Sequence, residues 1–206
     1  MAKIKTDTYT DIYHPQRQYG IIYTDPPWEQ TRGGKRQARP NSSGIALDYP
    51  VMSLDEITQF HRDVLPLLAA PYHNVFMWTI DKYLIPAEMF MDKLGYIRHA
   101  RIVWNKLTGM APAYTVRFTC EYLLWFYPKN RMLKPQDNTR GKYSTCLVEA
   151  AKRHSQKPES AYCMLEDMFP TAKKIELFAR LPRTGWDCWG NEVEPLDPTQ
   201  EGGSPS

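Results

Sequence analysis

Hydrophobic and polar positions change rhythm several times along the chain, and each change marks an element. Tyr19 to Thr24 is an apolar run of β-branched and aromatic residues stopped by Pro26 and Pro27, which predicts a buried strand ending at Asp25. Ser53-Leu54-Asp55-Glu56 has capping-box spacing. Leu54, Ile57, Val64, Leu65 and Leu68 then recur at helical spacing up to Ala69-Ala70-Pro71, predicting an amphipathic helix. Asn74 to Thr79 reads as a second buried strand, and Lys82 to Leu94 as a helix ended by Gly95. Further strands are predicted at 99–106, 121–127, 144–150 and 173–179, with a helix over Glu159–Phe169 and Pro158 at its first position. Alternating strands and helices predict an α/β fold with helices layered on a sheet.

The connections are polar. Glu29 to Gly44 carries Arg32, Lys35, Arg36 and Arg39 against a single acid, and is expected to be a mobile loop. The segments 107–119 and 128–144 are candidate active-site loops. A chain of 206 residues, 42% of them apolar, supplies one substantial core, so a single domain over 1–193 is expected, followed by a disordered tail at 194–206. The net charge of +3 permits a polyanionic partner without demanding one. Cys120, Cys146, Cys163 and Cys188 are scattered without a C-x-x-C pair, which argues against a zinc ribbon or a dense disulfide framework and fits a reducing cytoplasm. The first residues lack the apolar segment of a signal peptide, and no run of about 18 apolar residues occurs, so no membrane partner is expected.

Asp25-Pro26-Pro27-Trp28 concentrates the chemistry at a strand end, where α/β folds place their ligands. The two prolines remove two N–H donors and leave carbonyls without local competition. An Asp carboxylate beside such a carbonyl can accept both hydrogens of an exocyclic amine and activate a weak nucleophile. Trp28 offers a face for stacking a base, worth about 1–3 kcal/mol in single-strand sites. The same four residues also describe an Asp-initiated proline turn with the tryptophan packed in the core.

The motif resembles that of the amino-group methyltransferases. With Trp in fourth place it is most similar to the family of the eukaryotic messenger-RNA adenosine-N6 methyltransferase and its phage and bacterial DNA-modifying relatives. Three further stretches match in order: Leu47-Asp48-Tyr49-Pro50-Val51-Met52-Ser53, His154-Ser155-Gln156-Lys157-Pro158, and Lys174-Ile175-Glu176-Leu177-Phe178-Ala179-Arg180 with Gly185-Trp186 and Gly190-Asn191-Glu192-Val193. The resemblance implies a Rossmann-like, three-layer fold dependent on S-adenosyl-L-methionine, with the permuted, β-class motif order. It places Tyr49 beside the acceptor base and Lys157 on the cofactor's methionine carboxylate, where a lysine suits a point-charge contact. It further places Arg180, Asn191 and Glu192 at the ribose and Asp7 at the adenine, and Glu121 near the acceptor. Trp104 either borders the base pocket or belongs to the core, and Glu176 either serves the cofactor or is structural. One departure concerns the ribose contacts: only three residues separate Leu181 from Gly185, fewer than in the messenger-RNA enzyme.

The expectation is therefore adenine-N6 methylation of a base flipped from DNA, with Asp25 and the Pro26 carbonyl holding the amine and the loop arginines and lysine meeting phosphates. RNA adenosine, cytosine N4, or a catalytically silent nucleic-acid-binding subunit are the alternatives. No metal is required, and His61, His73 and His99 have no ligand spacing. A homodimer is compatible with the sequence. The resemblance implies a location in the cytoplasm of a bacterial or phage-infected cell.

Overall fold

A computed structural model describes residues 3–29, 51–107, 116, 118–151 and 156–195. Arg32, Lys35, Arg36, Arg39, Tyr49, His154, Ser155 and the tail from 196 lie outside the described residues.

The main sheet has seven strands: β2 (Tyr19–Thr24), β3 (Ala69–Thr79), β4 (Tyr96–Asn105), β5 (Cys120–Pro128), β6 (Cys146–Val148), β7 (Lys174–Leu177) and β8 (Asp187–Trp189). Their spatial order is β6-β4-β5-β3-β2-β7-β8, and only β5 runs against the rest. A separate parallel pair joins β1 (Ile4–Thr6) to β9 (Val193–Pro195). The strand that ends in Asp25 precedes β7 in the chain by some 150 residues, yet the two are direct neighbours in register, Thr24 opposite Leu177.

Strand alternation divides the core between the two faces. Ile22, Val75, Met77, Leu124 and Ile175 point to the face covered by α1 (Leu54–Leu68) and α2 (Leu84–Lys93). Ile21, Tyr23, Phe76, Trp78, Leu123 and Trp125 point to the face covered by α3 (Glu159–Met168). Each fully buried side chain of this size contributes about 1.5–3 kcal/mol. The result is the three-layer α/β arrangement expected from the chain.

Local chemistry fixes the helix ends. Ser53 and Glu56 form the reciprocal capping box, and Gly95, at φ +87°, terminates the helix before it. Pro158 is the residue before α3 rather than its first member, and it has no capping side chain. The Glu149 carboxylate does that work from a distance, accepting the N–H groups of Glu159 (3.0 Å) and Ser160 (2.9 Å) at the positive end of the helix.

Several boundaries differ from expectation for physical reasons. Strand β3 begins at Ala69, directly after α1, but regular pairing with β2 resumes only at Asn74, because the register shifts between Tyr19 and Ile21. Pro71 is tolerated in this unpaired stretch. Strand β7 stops at Leu177 rather than Ala179, because Phe178 turns the chain at φ +63°. Gly190 closes the next turn: a side chain there would collide with the backbone N and O of Ala179, whose N–H also donates to the Trp189 carbonyl.

Candidate active site

The carboxyl ends of β2, β3, β4 and β7 and the start of the antiparallel β5 form one rim of the sheet. Asp25 sits on it directly after β2, and its N–H donates to the Leu177 carbonyl at 3.3 Å, locking the ends of β2 and β7 together. The following turn is more engaged than the sequence suggests. The Pro26 carbonyl accepts the Trp28 N–H at 2.8 Å, and the Pro27 carbonyl accepts the Met52 N–H at 2.9 Å. Neither carbonyl is without competition; Pro26 keeps one lone pair for a second donor.

Trp28 is 5% exposed, its ring stacked on Tyr83 (4.9 Å) and its Nε1 donating to the Trp78 carbonyl at 2.8 Å. It is a packed residue that pins the proline turn to β3, not an open platform for a base. Trp104 is likewise core: 2% exposed, edge-on to Trp78 at 5.8 Å, with its Nε1 donating to the Glu149 carbonyl.

Four charged side chains form a line across the rim. Lys157, just before α3, places Nζ 2.9 Å from Asp25 Oδ1 and 2.9 Å from Glu121 Oε2. The other oxygen of Glu121, Oε1, meets Lys106 Nζ at 2.9 Å. Lys157 also lies 5.2 Å from the centre of the Trp78 ring, a cation–π contact. Burial opposes charge on all three inner groups, and the number of partners decides the outcome. Asp25 has one ammonium beside it, and burial wins: its carboxyl titrates above the ordinary Asp range. Glu121 has two, and they overcome burial, holding it below the ordinary Glu range. Lys157 is buried, but its two carboxylates outweigh that cost and raise it above the ordinary lysine value.

Beneath Asp25, on the α3 side, lies a second buried group. Glu176 of β7 is 8% exposed and accepts the Tyr162 hydroxyl at 2.9 Å; burial pushes its carboxyl up to about 7. Tyr162 packs on Tyr23 at 4.9 Å, and Trp78 Nε1 donates to the Tyr23 hydroxyl. The short connection after Leu181 is fastened here: Arg183 bonds Glu159 and Glu166 of α3 and lies over the Tyr162 ring at 4.6 Å.

The remaining predicted residues gather at the β7–β8 side of the rim. Arg180 pairs with Glu192 at 3.3 Å, and Asn191 is exposed beside them. Asp7 is exposed on the turn after β1, which is fastened to β8 by Thr10 N–H to the Cys188 carbonyl and Cys188 N–H to the Thr8 carbonyl. The fold thus brings Asp25, Lys157, Glu121 and Glu176 together, with Arg180 near enough to act on the Asp25 charge. The sequence reading missed Tyr162, and it named Lys106 only as the end of the Trp104-Asn105-Lys106 stretch beside the base pocket, without a role of its own. Lys106 lies two residues beyond Trp104, so strand alternation puts both on the same face and offered a signal.

The MT-A70 family profile matches residues 19–192. The chain is 29% identical over 194 residues to the type II methyltransferase M.MunI of Mycoplasma, an alignment covering 87% of this chain and 79% of that protein. It is 26% identical to the N(6)-adenosine-methyltransferase MT-A70-like protein of Arabidopsis thaliana, over 89% of this chain and 25% of the relative. To the human N(6)-adenosine-methyltransferase catalytic subunit METTL3 it is 24% identical, over 86% and 28% respectively. The chain thus spans most of the bacterial relative and about a quarter of the plant and animal ones. The matched stretch runs from the first residue of β2 to the Glu192 that pairs with Arg180, so Asp25, Lys106, Glu121, Lys157, Glu176 and Arg180 lie inside it and Asp7 does not, and the chain belongs to the MT-A70 family of methyltransferases, which use S-adenosylmethionine as methyl donor.

Proposed function

We propose that the protein methylates the N6 amino group of adenine in DNA, with the rim around Asp25 as its active site. The carrying observation is the Asp25 carboxylate, fixed at the end of β2 by Lys157 on Oδ1, an ion pair that does not use Oδ2. Oδ2 accepts one N–H of the amine, and the remaining lone pair of the Pro26 carbonyl accepts the other. Holding both hydrogens out of the base plane releases the nitrogen lone pair for attack. Positioning the two reactants carries most of the acceleration.

The residues fit the family's methyl donor. Lys157 is a buried ammonium suited to its carboxylate, and the Arg180–Glu192 pair offers a donor and an acceptor side by side for vicinal hydroxyls. Asn191 extends that group, Asp7 is assigned the adenine end, and Glu176 supports the pocket wall from below. When bound, S-adenosylmethionine supplies an electrophilic methyl group. Tyr49, Arg32, Lys35, Arg36 and Arg39 are assigned to the acceptor base and the backbone phosphates on sequence grounds alone.

DNA is preferred because the short phage and bacterial members of the family that the motifs resemble modify DNA, and because the bacterial type II methyltransferase is matched over most of its length. The N(6)-adenosine-methyltransferases among the relatives favour RNA as the second reading. Labelled methyl incorporation into double-stranded DNA and RNA of matched sequence separates them. DNA labelling is expected; labelling of RNA alone overturns the choice of polymer.

A further inference from the structure

The charged line across the rim ends in a residue that no role above accounts for. Lys106 sits immediately after β4, two positions beyond the buried Trp104, and its Nζ holds Glu121 Oε1 at 2.9 Å. Its backbone is fixed independently of its side chain, through its N–H to the Thr119 carbonyl and its carbonyl to the Ala151 N–H. The ammonium is therefore not needed to keep the local chain in place, and it is about one quarter exposed while Lys157 is nine-tenths buried.

Consider the charges one at a time. Asp25 and Glu121 share Lys157 at equal distances. With Lys157 alone, two carboxylates and one ammonium would leave an excess negative charge in a desolvated site, and one carboxyl would take up a proton. Lys106 supplies the missing positive charge, but on one side only. It touches Glu121 and not Asp25, so the carboxylate made permanent is Glu121. The other charged or titratable groups around Asp25 leave this asymmetry intact: Arg180 after β7 favours its anion, Glu176 on β7 opposes it, and Tyr23 on β2 is a buried neutral phenol.

We propose that Lys106 is a positioning residue for methyl transfer: it holds Glu121 as an anion, so that Asp25 is the carboxylate of the pair left to take up a proton. This role rests on the reading of Asp25 as the amine acceptor. Once the acceptor nitrogen has spent its lone pair on the new N–C bond, the methyl–sulfur bond of the donor having broken with its electron pair left on sulfur, it bears a positive charge and one proton too many. That proton passes to Asp25 Oδ2, the N–H electron pair stays on nitrogen, and the neutral methylated amine leaves with Asp25 protonated. A carboxylate held below the ordinary Glu range by two ammonium groups, as Glu121 is, is a poor sink for it; one whose affinity for a proton is raised is a good one.

The test is carbon-13 NMR titration of the side-chain carboxyls of Asp25 and Glu121 in the full chain without cofactor, so that it does not depend on turnover. In the wild type, Asp25 titrates above the ordinary Asp range and Glu121 below the ordinary Glu range. In Lys106→Met the order reverses: the Glu121 midpoint rises by roughly one to two pH units, a range typical for loss of an adjacent opposite charge, and the Asp25 midpoint falls. Lys106→Arg restores the wild-type order. A Glu121 midpoint unchanged in Lys106→Met, or one that moves and is not rescued by arginine, overturns the proposal. Methyl transfer is then followed against pH in the same variants, where Lys106→Met is expected to lower kcat at least tenfold with little change in KM for DNA. A wild type that titrates as described but methylates no nucleic acid would fault the functional reading and leave the charge assignment standing.

Discussion

The two edges of the same sheet solve opposite problems. At the edge where β2 and β3 begin there is a cavity of about 330 Å³, lined by Gln18, Arg62, Ala70, His73, Tyr96 and Arg131 among others, with no carboxylate among the described residues that line it. Of its two buried histidines, His73 is satisfied, with Nδ1 bonded to the Ala70 carbonyl (2.6 Å) and Nε2 to the Tyr96 hydroxyl (2.8 Å), and burial lowers its pKa. At the opposite rim two lysines and two carboxylates are aligned at 2.9 Å and a third carboxylate is buried below them. What sets the two regions apart is the compensation of charge: the rim holds buried carboxylates with unequal numbers of ammonium partners, and the hollow holds none among the described residues. The hollow presents arginines and no carboxylate among the described residues, whereas the rim presents three carboxylates, two of which burial raises above their ordinary range.

The comparison is broken most directly at Asp25. Asp25→Ala is expected to reduce methyl transfer by about 10³-fold or more, the scale set by removing a positioned acceptor, while calorimetry shows cofactor affinity changed less than tenfold. Turnover within tenfold of wild type would mean that the rim is not the site. Next in size is Lys157→Met, which strands Asp25 and Glu121 beside one another in a buried setting. Breaking a buried ion pair from one side costs about 3–5 kcal/mol, so Tm should drop by several degrees. The drop should be smaller at pH 5, where a proton can replace the missing charge, than at pH 8.

Glu176 gives a smaller and pH-specific effect. Its carboxyl is raised to about 7 in the folded protein, so the neutral form is favoured by folding. That contribution is fully present below the ordinary Glu value and is lost as pH rises through about 7. Replacing it with a neutral isostere, Glu176→Gln, should therefore leave stability near wild type at pH 5 and raise it relative to wild type by on the order of 2 kcal/mol at pH 8. A difference between the two proteins that does not grow with pH in urea unfolding would show that the group is not held neutral. The smallest effect belongs to the other edge: His73→Gln should cost about 1 kcal/mol, the worth of a hydrogen bond, and leave methyl transfer within twofold.

Much of this architecture was legible in the chain because its signals are local. The capping box at Ser53 and Glu56, the glycine stop at Gly95 and the apolar runs of β2 and β5 each depend on neighbours within a few residues. The strands β1, β8 and β9 were not legible, since three residues carry no period and their pairing is decided by partners far along the chain. The roles of the two tryptophans could not be separated either. Trp28 follows the proline motif and Trp104 ends a strand, and both become core only because Trp78 of β3 lies against them.

At the site, residue types were legible and their partners were not. A lysine before α3 and an acid at the start of β5 can be read from the sequence, but nothing local says that they meet at 2.9 Å beside Asp25. The rim is assembled from β2, β4, β5 and the approach to α3, segments separated by up to 130 residues, so the sharing of charge is a property of the fold alone. The pairing of Lys106 with Glu121 was hidden for the same reason.

The central claim is that the rim transfers a methyl group to the N6 amine of adenine in DNA. Incubating the protein with unmethylated plasmid DNA and S-adenosylmethionine, digesting the product to nucleosides and analysing them by mass spectrometry tests it in one step. The account predicts N6-methyldeoxyadenosine as the sole new nucleoside; N4-methyldeoxycytidine, or no methylated nucleoside from DNA beside methylated adenosine from RNA, would contradict it.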